Sequence, residues 1–288
     1  MTIRAIVVGG TSGIGYAIAC RVAASYAPTG STVLISGRTK PANFPPTGTS
    51  NMEFRALDAT SMRQIHSYTK TLKSSVIPQP TLDLLVMSQG IMSTAPRTEV
   101  EGEAIDRKMA LHYYGKQLLI RELLPLMTPT ARVVIVYDGW LGSPDKLLWD
   151  DLDLSKGNYS LKKAADHCTS MMDGMVQWWA ASQDGNSERS FVHAYPGGVN
   201  TNLMREVVPG FLQGVLKIVG GAVLTSPETC AERLLEGVER CVREGRGWSN
   251  IDNKGKLLGK KAIWTGEQMD EVARHTWGLV DQALEGGE

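Results

Sequence analysis

Gly9-Gly10-Thr11-Ser12-Gly13-Ile14-Gly15 stands directly between a β-branched run, Ile3 to Val8, and a helical pattern, Ile14 to Tyr26. A glycine-rich turn carries meaning in that strand-to-helix setting and little outside it. Gly9 is placed for a tight turn, Gly13 for a close approach of backbone to a pyrophosphate, and Gly15 for tight helix–strand packing. The amides at the start of the helix then face an anion, so Thr11, Ser12 and Ile14 are expected to complete a phosphate cradle.

Outward from that turn the same alternation continues. Thr32 to Ser36, Met52 to Leu57, Leu82 to Met87, Arg132 to Tyr137 and Phe191 to Tyr195 read as buried strands. Ser61 to Ser74, Gly102 to Met127 and Ser160 to Ser182 are long enough for helices. Strands alternating with helices predict an α/β fold with a mostly parallel sheet covered on both faces. Ser226-Pro227-Glu228 supplies an N-cap, a first-turn proline and an early acid, which opens a further helix. Residues 1–245 are expected to form one domain, and 246–288 a polar, Trp-containing tail packed on its sheet edge.

Composition narrows the function classes. Lys plus Arg number 30 and Asp plus Glu number 30, so no electrostatic footprint for a nucleic acid is present. Cys20, Cys168, Cys230 and Cys241 are scattered without metal-ligand spacing, and they read as reduced thiols. No stretch reaches the roughly 18 apolar residues of a membrane span, and no secretory leader is recognisable, which predicts a cytoplasmic protein.

Further motifs fall in a fixed order: Asp58 after the third strand, Gly90 after the fourth, Tyr159-Ser160-Leu161-Lys162-Lys163, and Pro196-Gly197-Gly198-Val199-Asn200-Thr201. With the Gly-x-x-x-Gly-x-Gly turn, this series resembles the short-chain dehydrogenase/reductase family over roughly residues 3 to 203. The resemblance implies a single-domain, doubly wound Rossmann fold. It also implies Asp58 near an adenine ring, Gly90 in the cofactor cleft, and Pro196, Gly197, Val199 and Thr201 on the nicotinamide side. Ser36-Gly37-Arg38-Thr39-Lys40 lacks the acid that NAD-specific relatives hold for the ribose 2′-hydroxyl. Arg38 and Lys40 would instead pair with a 2′-phosphate, making NADP(H) the expected cofactor.

On a helix, Tyr159 and Lys163 share a face, so the ammonium is expected to lower the phenol from about 10 and to contact the cofactor ribose. Tyr159 is then the implied general acid for ketone reduction. Two positions depart from the family pattern: Asp138 stands where the family carries a serine, and His112 where it carries an asparagine. An ionised carboxylate cannot donate to a substrate oxygen. Those departures leave two alternatives open, a non-redox cyclase, isomerase or dehydratase using Asp138 or His112 as acid or base, and an inert nucleotide sensor. Ser143 is the alternative source of the hydroxyl missing at Asp138, and residues 202–225, apolar and glycine-bearing, are expected to form a lid over a hydrophobic, polycyclic or polyketide-like metabolite, with Trp140, Trp149, Met171, Met172 and Met204 lining the same pocket. The helices carrying His112 and Tyr159 are expected to form a homodimer face, to which Trp178-Trp179 contributes unless the pair packs beneath the tail.

Overall fold

The computed structural model describes residues 3–45, 50–77, 79–201, 224–259 and 261–286. Seven strands form one sheet: β1 (Ile3–Val8), β2 (Thr32–Gly37), β3 (Met52–Ala56), β4 (Leu82–Met87), β5 (Met127–Val136), β6 (Ser190–Ala194) and β7 (Trp248–Ile251). Their order is β3-β2-β1-β4-β5-β6-β7, and every neighbouring pair is parallel. The helices are α1 (Gly13–Tyr26), α2 (Met62–Thr71), α3 (Gly115–Leu123), α4 (Leu161–Ala181), α5 (Pro227–Arg243) and α6 (Gly266–Glu285).

Strand side chains alternate between faces, so one strand feeds two cores. Ile6 and Val8 pack with Leu118, Leu119 and Met175 on one side, whereas Ala5 and Val7 pack with Ile18, Val22 and Leu234 on the other. This burial on both faces explains why the strands read as near-continuous apolar runs. The chain leaves β1 towards β2 on one side and β4 towards β5 on the other. A crevice therefore opens at the carboxyl ends of β1 and β4, the place where a doubly wound sheet takes its ligands.

Three expectations change. The helix expected over 102–127 is shorter, because Glu99 and Asp106 form an antiparallel bridge and the Asp106 side chain accepts the amides of Lys108 and Met109. A short turn (Arg107–Met109) and a π-type turn (Ala110–Tyr114) then lead into α3. β5 begins five residues earlier than expected, at Met127. In the 246–288 segment, Trp248–Ile251 is itself the edge strand, and α6 packs on α4 with Trp277 against Trp178 and Trp179. The tryptophan pair thus lies beneath the C-terminal helix, where the Trp178 indole also donates to Asp270 Oδ1 at 3.1 Å.

Candidate functional site

The glycine turn builds a cleft. The amides of Gly9 and Gly10 both donate to Ser36 O, at 2.8 and 3.2 Å, which folds the chain back from β1. Gly9 has φ +78°, and a Cβ there would sit 2.4 Å from Gln89 N. At Gly15 a Cβ would meet Ser88 Oγ at 2.2 Å and Gly9 O at 2.4 Å, so a side chain there would force α1 away from the sheet. The Ser12 side chain makes no cap hydrogen bond, and the first turn of α1 carries no acid, leaving its amides open to an anion. The resulting cavity, about 330 Å³, is lined by Thr11, Ser12, Gly13, Ile14, Arg38, Asp58, Gly90 and Thr201 among others.

The remaining nucleotide-side residues divide. Arg38 lies in the cleft wall, but the Lys40 ammonium sits 5.0 Å from the centre of the Phe44 ring and is not part of that wall. Asp58 Oδ1 accepts the amide and hydroxyl of Thr60, at 3.0 and 2.7 Å, which fixes the carboxylate at the cleft. Gly197 is in the left-handed region, with φ +70°, and Val199 bridges Thr225 in parallel. Pro196 lines a second cavity, described next.

That second cavity, about 810 Å³ and largely apolar, shares Ile14, Ser88, Gln89, Gly90 and Ile91 with the first. Its far wall is α4, which presents Leu161, Ala164, Ala165 and Cys168. His112, Tyr137, Asp138 and Tyr195 also line it. His112 Nε2 pairs with Ile91 O at 2.9 Å, and burial drops the imidazole to about 4. The ring is therefore neutral at neutral pH, with its proton on Nε2 and an unpartnered Nδ1 as acceptor, a tautomer assigned from the hydrogen bond. Tyr137 stacks on His112 at 5.0 Å, beneath it the buried Lys116 ammonium lies 5.1 Å from the Tyr137 ring centre, and burial pushes the Tyr137 phenol upward.

A model of the short chain dehydrogenases matches residues 4–137. An oxidoreductase of Emericella nidulans is 33% identical over 217 residues, covering 72% of this chain and 61% of the relative. The chain belongs to the short-chain dehydrogenase/reductase family. Human dehydrogenase/reductase SDR family member 13 is 28% identical over 245 residues, 82% of this chain and 63% of that protein. The chain thus spans less than two thirds of the length of both curated relatives. The fold matches the NADPH-bound carbonyl reductase from chicken fatty liver with a TM-score of 0.58, 14% identity, and coverage of 90% of this chain and 100% of that one.

Against the family pattern, this short-chain dehydrogenase/reductase places its candidate acid unexpectedly. Ser160 accepts the amide of Lys163 and is the N-cap of α4, so Tyr159 precedes the helix and does not share a helical face with Lys163. The Tyr159 hydroxyl donates to Asp106 Oδ1 at 3.3 Å, and neither Tyr159 nor Lys163 lines either cavity. Burial, and then the Asp106 carboxylate, push this phenol up from its ordinary value, the opposite of the expected lowering. Asp138 lines the second cavity, with Oδ1 accepting the amides of Trp140 and Leu141 at 3.1 and 3.3 Å. Ser143 caps a short turn through Asp145 N and lines neither cavity. Met204 and most of the expected lid, residues 202–223, lie outside the described residues. The sequence pattern gives no role to Gln89, Lys116 or Tyr137; Lys116 and Tyr137 meet only because the fold brings α3 against the end of β5.

Proposed function

We propose that the chain is an NADP(H)-dependent oxidoreductase acting on an apolar small molecule, either reducing a ketone or oxidising an alcohol. The observation that carries this reading is the junction of the two cavities along Ile14, Ser88, Gln89, Gly90 and Ile91. A dinucleotide in the first cavity would meet a substrate in the second across that seam. The residues fit the cofactor: the α1 amides and the space at Gly9 and Gly15 suit a pyrophosphate, Asp58 the adenosine side, and Arg38 a 2′-phosphate that no acid on β2 opposes. When bound, the nicotinamide supplies the hydride chemistry. Within the substrate cavity, Leu161, Ala164 and Ala165 offer an apolar surface, neutral His112 offers a hydrogen-bond acceptor at Nδ1, and Tyr137 remains a protonated neighbour.

The presence of Asp138 and His112 in the second cavity, with Tyr159 and Lys163 outside it, favours a second reading, non-redox acid–base chemistry through either residue on the same scaffold. The inert-sensor reading also stays open, because the Tyr159 hydroxyl pairs with Asp106. Calorimetric titration with NADPH and NADH, followed by cofactor oxidation across a panel of apolar ketones, tests the proposal. Tighter binding of NADPH with turnover is the expected result. Product formation without cofactor oxidation would transfer the assignment to the second reading, and no affinity for either dinucleotide would overturn both cofactor-based readings.

A further inference from the structure

Lys108 stands in the short turn Arg107–Met109 and is the one cation among the described residues that line the second cavity, where His112 is held neutral by burial. Its side chain is 10% exposed, so its charge sits in a wall made mostly of apolar groups. That charge is felt across the wall, since it is among the causes that lower the His112 imidazole. The ammonium carries three donors. One goes to Pro96 O at 2.9 Å, which brings the head group to the loop after β4, whose Ser93 and Thr94 also line the cavity.

The one carboxylate oxygen within 4 Å among the described residues, Asp106 Oδ2, is 3.7 Å away, beyond hydrogen-bond reach. Asp106 is already engaged: Oδ1 accepts the amides of Lys108 and Met109 and the Tyr159 hydroxyl, and Oδ2 accepts the amide of Thr98. A buried cation with a single close acceptor is under-satisfied, because burying a charge costs free energy until it is both paired and hydrogen-bonded. An anion reaching the ammonium from the cavity would complete it. A phosphate dianion calls for more than one cation, whereas a carboxylate matches the one that this wall supplies. The largely apolar volume around it, about 810 Å³, requires the rest of that molecule to be hydrophobic.

We propose that Lys108 is an anion-binding residue of the second cavity and that the molecule bound there is an apolar carboxylate, its carboxylate oxygen accepting from the Lys108 ammonium. The proposal deepens the reading of this cavity as the substrate site, and it rests on that reading. Turned the other way, towards Asp138, the same group would meet another carboxyl group and no cation, so the wall admits the acid in one orientation. Lys108 thereby determines which apolar molecules are taken, selecting acids over neutral molecules of the same shape.

The test is calorimetry on the full chain at neutral pH, with and without NADP+, using two matched pairs of probes: decanoate against decanamide, and 2-naphthoate against 2-naphthamide. Wild type is expected to bind the acid of at least one pair about ten- to a hundred-fold more tightly than its amide. In Lys108→Met the two are expected to bind alike, through loss of acid affinity, with amide affinity changed less than about two-fold. Lys108→Arg keeps the charge and is expected to keep the preference. Lys108→Gln provides the same comparison should the methionine variant fail to fold. Equal binding of acid and amide by wild type, or an acid preference that survives in Lys108→Met, would overturn the carboxylate site and leave the substrate-cavity reading intact. Failure of all four probes to bind a chain that holds NADP+ would overturn the substrate-cavity reading and this proposal with it. An acid preference lost in Lys108→Met, in a chain that binds no dinucleotide, would uphold the carboxylate site and overturn the cofactor reading alone.

Discussion

Lys116 has no exposed surface and one hydrogen bond, from its ammonium to Val136 O at 3.2 Å. Burial without a carboxylate partner lowers it from about 10.5 to about 7. A base held mostly uncharged in the fold binds fewer protons there than in the unfolded chain, so stability rises with pH between about 7 and 10.5 and is flat outside that window. At pH 7 the penalty comes to about 4 kcal/mol at about 1.4 kcal/mol per unit. Lys116→Met removes this penalty and loses a hydrogen bond of about 1 kcal/mol, for a net gain of about 3 kcal/mol. By pH 9 the penalty has fallen to about 2 kcal/mol, so the gain shrinks to about 1 kcal/mol. Urea denaturation of both proteins at pH 7 and 9 reads these differences directly. A variant less stable than wild type at pH 7, with the same pH slope, would refute the reasoning by showing Lys116 to be charged and satisfied in the fold.

Tyr159→Phe removes one of several donors to Asp106, so stability should fall by about 1 kcal/mol, and turnover of any substrate found should change less than about three-fold; a loss of a hundred-fold or more would restore Tyr159 as the acid. Arg38→Ala should weaken NADPH binding about ten- to a hundred-fold and leave NADH binding unchanged, measured by calorimetry. Gly15→Ala sets a methyl group against the backbone of Gly9 and should lower stability by about 1 to 3 kcal/mol and weaken dinucleotide binding, measured by melting with and without NADP+. His112, buried and neutral, should make acid weaken the fold: stability declines as pH falls from about 6.5 towards 4, by about 3 kcal/mol, and His112→Asn should lack that share of the slope in urea titrations at pH 7, 5 and 4.

The strands and the phosphate turn were legible because each is decided locally, by apolar runs that bury both faces and by glycines where a Cβ would strike backbone. β7 was not, since half of Trp248-Ser249-Asn250-Ile251 is polar. Asn250 is buried there only because Asp173 Oδ1 and Gly139 O, far away in the chain, accept its amide at 2.6 and 2.9 Å. Tyr159 shows the opposite failure. The four-residue spacing to Lys163 reads as one helical face, but Ser160 is a strong N-cap residue, and a side chain before the cap leaves the helical register. That signal was present in the sequence and was outweighed by the motif around it.

The same displacement leaves most of the expected nucleotide-side residues together and takes Tyr159 and Lys163 out of both cavity walls. In the nucleotide half, the glycine turn, Arg38 and Asp58 all reach one cleft. In the other half, the wall presented by α4 is aliphatic, and the polar groups come from the ends of β4 and β5 and from the π-type turn before α3. Tyr137 fills the space between these elements, its ring sandwiched between His112 and His193 at 5.0 and 6.3 Å and its phenol held protonated by burial. At neutral pH the cavity therefore contains an imidazole that stays uncharged and can accept a hydrogen bond, and a phenol that keeps its proton. A ring whose charged form is driven down to about 4 accepts a hydrogen bond at neutral pH but does not keep a transferred proton, so His112 is suited to orienting a substrate hydroxyl and not to deprotonating it.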